Sequence, residues 1–174
     1  ARWLERGVLN PASAMFREDD YLLTEERSIT DRALYHAVLG AIAAGATSQS
    51  AVSASVGRES RAVEHPLRAL EEAGFVQREA DALRDRRPIL RLADPIVRFH
   101  HAVTRFDLAR FEDRRFSAAW VDARPRWLSQ VLGPHFEHLA REFARRHASE
   151  GTLGGAPTTI GPAVVNDRKG RAQH

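Results

Sequence analysis

The chain has 174 residues, a length that suits one or two small domains. Its 43% hydrophobic content can fill a core, and 28% charged residues with a net charge of only +3 argue against bulk disorder. Cysteine is absent, which excludes disulfides, thiol catalysis and cysteine-based zinc sites.

The chain opens on Ala1-Arg2-Trp3-Leu4-Glu5-Arg6, charged and with no apolar core behind it, so no signal peptide is expected. No apolar run approaches the roughly 20 residues needed to span a bilayer, so no membrane partner is expected and a cytoplasmic location is. Up to about Arg27, apolar patches such as Ala14-Met15-Phe16 and Tyr21-Leu22-Leu23 alternate with charge. So short a piece cannot bury them alone and must pack on the next domain or on something else.

Ser28-Ile29-Thr30-Asp31 predicts a helix start, with Ser28 or Thr30 as cap and Asp31 at the positive end of the dipole. Leu34, Val38 and Ile42 recur at helical spacing, and Gly45 ends the run. Thr47-Ser48-Gln49-Ser50 caps a short second helix that Gly57 breaks. A third helix begins near Glu59-Ser60, carries Val63, Leu67 and Leu70 on one face, and stops at Gly74. Phe75 to Glu79 and Ile89 to Leu92 read as paired strands around a charged tip, Asp81 to Pro88. Three helices and a hairpin are the plan of a winged helix-turn-helix, which places one helix in the DNA major groove. Asp94-Pro95 starts a further helix. Helical patterns follow, with breaks expected at Pro125 and at Gly133-Pro134. After Ser149, glycine and proline make a loop in which Ile160 and Val164-Val165 could form one strand. The expected fold is mainly α with a small β-wing: a segment over 1–27, a winged helix-turn-helix over 28–93, a helical segment over 94–150 and a flexible tail over 151–174.

Lys169 is the sole lysine, so nearly all the positive charge is arginine, which stays ionised and grips phosphate in a fork geometry. Heavy arginine and alanine usage can equally reflect a GC-rich genome. Arg61, Glu64, His65 and Arg68 share one face of the third helix at spacings of three and four. Arg61, His65 and Arg68, with Arg58 and Ser60 before them, are the candidate groups for base edges and phosphates of duplex DNA. Arg84, Arg86 and Arg87 at the wing tip are the candidate phosphate contacts. An ordinary solvated surface is the competing reading, because Glu59, Glu64, Glu71 and Glu72 oppose the helix arginines and Asp81 and Asp85 dilute the wing. Pro66 lies inside the predicted helix, so either the helix kinks there or its regular part starts there, which would move Arg61 off it. His135 and His138 with Glu137 depart from the zinc pattern of two histidines four apart, since Phe136 stands where the glutamate belongs. His100, His101 and His147 add no defined third ligand, so no metal site is expected. No glycine-rich loop ending in Gly-Lys-Ser/Thr exists; Lys169 precedes Gly170. No cofactor and no catalytic residue is assigned.

The order of these phrases resembles the C-terminal region of the archaeal-type P-loop ATPase family. Tyr21-Leu22-Leu23-Thr24-Glu25-Glu26 looks like the close of an ATPase portion. Tyr35 to Gly45 and Leu67 to Val76 look like the first and recognition helices of the family's winged helix. Leu90 to Phe99 looks like its junction phrase. Gly133-Pro134-His135-Phe136-Glu137 and Arg141-Glu142-Phe143 look like the helix opening a PD-(D/E)XK nuclease-like domain, and Val164-Val165-Asn166-Asp167 like its first strand. The resemblance implies that residues 1–27 end an ATPase portion and that Glu137 matches the nuclease helix glutamate. The sequence departs from the family by lacking the ATPase motor and the acidic strand, so no ATP hydrolysis or phosphodiester cleavage is expected of it. The expected role is non-catalytic DNA binding within an ATPase-family protein. The alternative is a protein-interaction or regulatory module that positions an ATPase domain of the same parent.

Overall fold

The computed structural model describes residues 2–25 and 31–165. Helices α1 (Arg2–Arg6) and α2 (Glu18–Glu25) flank a loop with a short 3-10 turn at Ala14–Phe16. Helix α3 (Arg32–Ala43) begins at Asp31, whose carboxylate accepts the Leu34 N–H at 3.1 Å. Asp31 is therefore the cap itself; Ser28 and Thr30 lie outside the described residues. Gly45 closes α3 at φ +104, which lets the Ala46 N–H reach back to the Ala41 carbonyl at 3.0 Å.

Helix α4 (Gln49–Val56) is capped by Ser48, which accepts the Ala51 N–H at 3.2 Å, and ends at Gly57 in the left-handed conformation. Helix α5 (Ser60–Glu72) runs through Pro66 without interruption. The ring is buried, and the Ala62 carbonyl that loses its helical donor belongs to an exposed residue that water can reach. Arg61 stays on the helix, which settles the alternative left open by the sequence.

Strands β1 (Val76–Asp81) and β2 (Arg84–Leu92) form one antiparallel pair. Their register runs from Val76 opposite Leu92 to Glu79 opposite Ile89, then jumps to Asp81 opposite Arg84. The expected charged tip is thus a correction: Arg84 to Pro88 belong to β2, and only Ala82-Leu83 turn. Residues 85–88 are taken up in a bulge, where Pro88 needs no ladder hydrogen bond and Arg86 adopts φ +61.

Helix α6 (Pro95–Ala102) starts on Asp94, which accepts the Ile96 and Val97 N–H groups at 2.7 and 2.9 Å. Helices α7 (Leu108–Glu112) and α8 (Phe116–Arg126) follow, then a π-helical segment, Trp127–Leu132, and α9 (Gly133–Arg146). The breaks expected at Pro125 and Gly133-Pro134 do not occur. Pro125 lies within α8, and Pro134 sits in the first turn of α9, behind a widened turn in which the Gly133 N–H donates to the Leu128 carbonyl five residues back. Residues 150–165 contain α10 (Glu150–Leu153) and then an extended run with no strand pairing among the described residues. That run is tied to the wing, because the Ala82 N–H donates to the Pro162 carbonyl at 2.8 Å.

Two cores result. In the first, Val38, Leu39 and Ile42 of α3 meet Val52 of α4, Val63, Leu67 and Leu70 of α5, and Val76, Leu90 and Leu92 of the hairpin. In the second, Val8, Leu9 and Phe16 meet Phe99, Ala102 and Val103 of α6, Phe111 of α7, and Ala119 and Ala123 of α8. Val8, Leu9 and Phe16 therefore find cover against the helical segment and Leu23 joins the first core, whereas Trp3, Met15 and Tyr21 stay exposed. Each large side chain so buried stabilises by about 1.5–3 kcal/mol before entropic costs. Helix α6 serves both cores, because Val97 faces the first and Phe99 the second. The architecture is a winged helix-turn-helix continued by a helical body.

Candidate nucleic-acid interface

The turn between α4 and α5 is fixed by side chains that the periodicity did not single out. Gln49 Nε2 donates to the Ser60 carbonyl at 2.9 Å and to Ser60 Oγ at 3.1 Å. Ser53 Oγ donates to the Arg58 carbonyl at 2.6 Å. These bonds set the entry angle of α5 and occupy the backbone beside Arg58 and Ser60. The side chains of Arg58, Arg61, Glu64, His65 and Arg68 are all exposed, with Val63, Leu67 and Leu70 fully buried on the opposite face. One face of α5 is thus polar for its whole length because the other is needed by the core.

His65 differs from its neighbours. Its Nδ1 lies 3.3 Å from the Tyr35 hydroxyl on α3, so a contact with a ligand would have to use Nε2. Burial, with the Asp31 charge second, pushes the Tyr35 hydroxyl above its ordinary pKa. Of the four opposing glutamates, Glu71 is engaged: Arg78 Nε on β1 donates to its Oε1 at 2.6 Å. Arg78 had no signal in the sequence because it sits in a short strand whose partner helix is known only from the fold.

On the wing, Arg86 and Arg87 are exposed and Arg84 is half-buried opposite Asp81. Asp81 is nearly buried and shapes the turn, accepting the Leu83 N–H at 2.9 Å and the Val164 N–H at 3.4 Å. Its negative charge is spent on the backbone of the turn and the tail rather than standing free beside the arginines. The structure gathers Arg61, His65 and Arg68 on α5, and Arg84, Arg86 and Arg87 on β2. No hydrogen bond or ion pair joins the two groups among the described residues.

The histidines and Glu137 make no metal centre there: among the described residues, no three histidine, aspartate or glutamate side chains gather to hold an ion. His135, Glu137 and His138 are exposed on α9, and Glu137 lies 3.7 Å from Arg141. No helix among the described residues is long and apolar enough to cross a membrane. Compared with known proteins, the chain matches no family model, no curated protein and no solved structure.

Proposed function

We propose that this chain is a non-catalytic module that binds duplex DNA, with α5 as the major-groove helix and β2 as the phosphate-gripping wing. The observation that carries the reading is the bulge of β2. Arg86 holds φ +61, a conformation that costs an arginine about 1 kcal/mol and a glycine almost nothing. An arginine there, beside the exposed Arg87, favours a role for the side chain over one for the backbone. Arg61, His65 and Arg68 supply the second contact surface, and Arg58 and Ser60 flank it. DNA is the partner, and the compartment in keeping with it is the cytoplasm. The test is binding to random-sequence duplex at low salt. The double variant Arg61→Ala/Arg68→Ala is expected to weaken binding at least tenfold, and unchanged affinity would contradict the helix assignment.

A second reading is a module that positions or regulates an ATPase portion of the same parent protein, in keeping with the resemblance of the chain's phrases to archaeal-type ATPases. One observation favours it. Leu132 at the end of the π-helical segment and Phe136, Leu139 and Phe143 of α9 form a stripe with 40, 69, 52 and 56% exposure, more than a solvated helix face needs. Association with the ATPase portion that is lost in Phe136→Asp/Phe143→Asp, in a chain that does not bind random duplex at low salt, would favour this reading over the first.

A further inference from the structure

A cleft of about 540 Å³ lies between the back of the wing and the helical body, away from the exposed face of α5. Its size falls in the range of small-molecule sites. One wall is apolar and comes from Trp127, Val131 and Leu132 of the π-helical segment with Pro95 and Pro134. Such widened turns are frequent at functional sites, and this one turns an indole toward the cleft. The other wall is cationic: Arg91, Arg98 and Arg141, with His135 and His138 at the side.

The charges in this wall do not balance. Arg91 Nε lies 3.1 Å from Glu79 Oε2, with side chains 18% and 24% exposed, an ion pair not aligned as a hydrogen bond. Arg98 donates through Nη2 to the Leu92 carbonyl, a neutral acceptor. Burial and the neighbouring Arg91 charge lower the Arg98 pKa, with Glu79 opposing them. Two guanidinium groups therefore share one carboxylate. Arg141, 14% exposed, has among the described residues only Glu137 as an ion-pair partner, at 3.7 Å. Uncompensated positive charge in a half-buried cleft is costly, and an incoming anion relieves that cost. Guanidinium groups match carboxylate and phosphate oxygens in geometry as well as charge.

We propose that this cleft binds a small organic anion, with a carboxylate or phosphate head held by Arg91, Arg98 and Arg141 and a flat apolar body against Trp127. The site abuts the wing through Glu79 and Arg91, which pair diagonally across the two strands, two register positions apart. It does not depend on the DNA reading, and its test uses no DNA.

Isothermal titration of the whole chain with 2-naphthoate, 1-naphthyl phosphate, inorganic phosphate and neutral 2-naphthamide tests the proposal. The two aromatic anions are expected to bind at least tenfold more tightly than either the amide or inorganic phosphate. Whichever aromatic anion binds better identifies the head. Arg141→Gln is expected to weaken the anions about tenfold and leave the amide unchanged; Trp127→Leu should weaken the aromatic anions and not inorganic phosphate. Arg98→Met is expected to weaken the anions as Arg141→Gln does; should it fail to fold, Arg141→Gln carries the test of the cationic wall. Equal binding of amide and anions, inorganic phosphate binding as tightly as naphthyl phosphate, affinity indifferent to Arg141→Gln, or no binding at millimolar concentration would each overturn it.

Discussion

Gly57 stands at φ +67 with nothing within 4 Å of a Cβ placed on it. Any loss on substitution there is backbone strain, free of steric clash. Gly57→Ala is expected to destabilise by about 1 kcal/mol and Gly57→Asn by less, since asparagine tolerates the left-handed region. Urea denaturation measures both; an alanine variant as stable as the wild type would contradict the conformation. Asp94 is a second residue with a single duty. It caps α6 through two N–H groups, so Asp94→Ala is expected to cost about 1 kcal/mol, with thermal denaturation as the check. Both residues were legible in the sequence, because a left-handed turn and a helix cap each draw on few residue types. Asp31 is legible only in part: the sequence offers it as a favourable charge at the helix start, and the structure makes it the cap.

Elements were legible where one face repeats at a fixed period. Val63, Leu67 and Leu70 announce α5, and the same period separates Arg61, His65 and Arg68 to the outside. Residues 84–88 carry no alternation and include Pro88, so nothing local distinguishes a loop from a bulged strand; pairing with β1 decides it. Pro125 and Gly133-Pro134 read as breaks because a regular α-helix cannot easily absorb them. The helical rod keeps its course by a π-helical turn, which needs the surrounding packing to exist and has no sequence signature. The cationic cleft was illegible for a related reason. Arg91, Arg98 and Arg141 come from a strand and two helices, and their shared shortage of carboxylates exists only once the chain has folded.

Helix α9 also allows a pH prediction. A hydrogen bond from Arg145 Nη1 at 2.6 Å holds the Glu142 carboxyl below its ordinary pKa, against the opposing effect of desolvation, with Arg146 adding to it at 2.9 Å. A depressed folded pKa means that the pairing is present above the unfolded pKa and is lost as pH falls through the folded value. In an NMR titration Glu142 should titrate below a free glutamate, and Arg145→Gln should move it up. A Glu142 titration indifferent to Arg145→Gln would contradict the pairing.

At the scale of the whole molecule, two cores meet on α6, and the wing is braced from both sides. Phe75 and Leu90 anchor its base in the first core, and residues 160–164 hold its turn through Ala82 and Asp81. A braced wing presents its arginines at low entropic cost, which suits contact with a phosphate backbone. The overall plan was legible from the order of periodic segments, whereas the bracing joins residues some eighty positions apart and was not. In the proposed function the wing meets duplex DNA through Arg84, Arg86 and Arg87. The most direct measurement is the dependence of affinity for random duplex on salt concentration, in the wild type and in Arg84→Ala/Arg86→Ala/Arg87→Ala. Each arginine on a phosphate adds about one unit to the slope of log affinity against log salt, so the triple variant is expected to flatten it by up to about three. An identical slope in the two proteins, or no binding by the wild type at low salt, would contradict it.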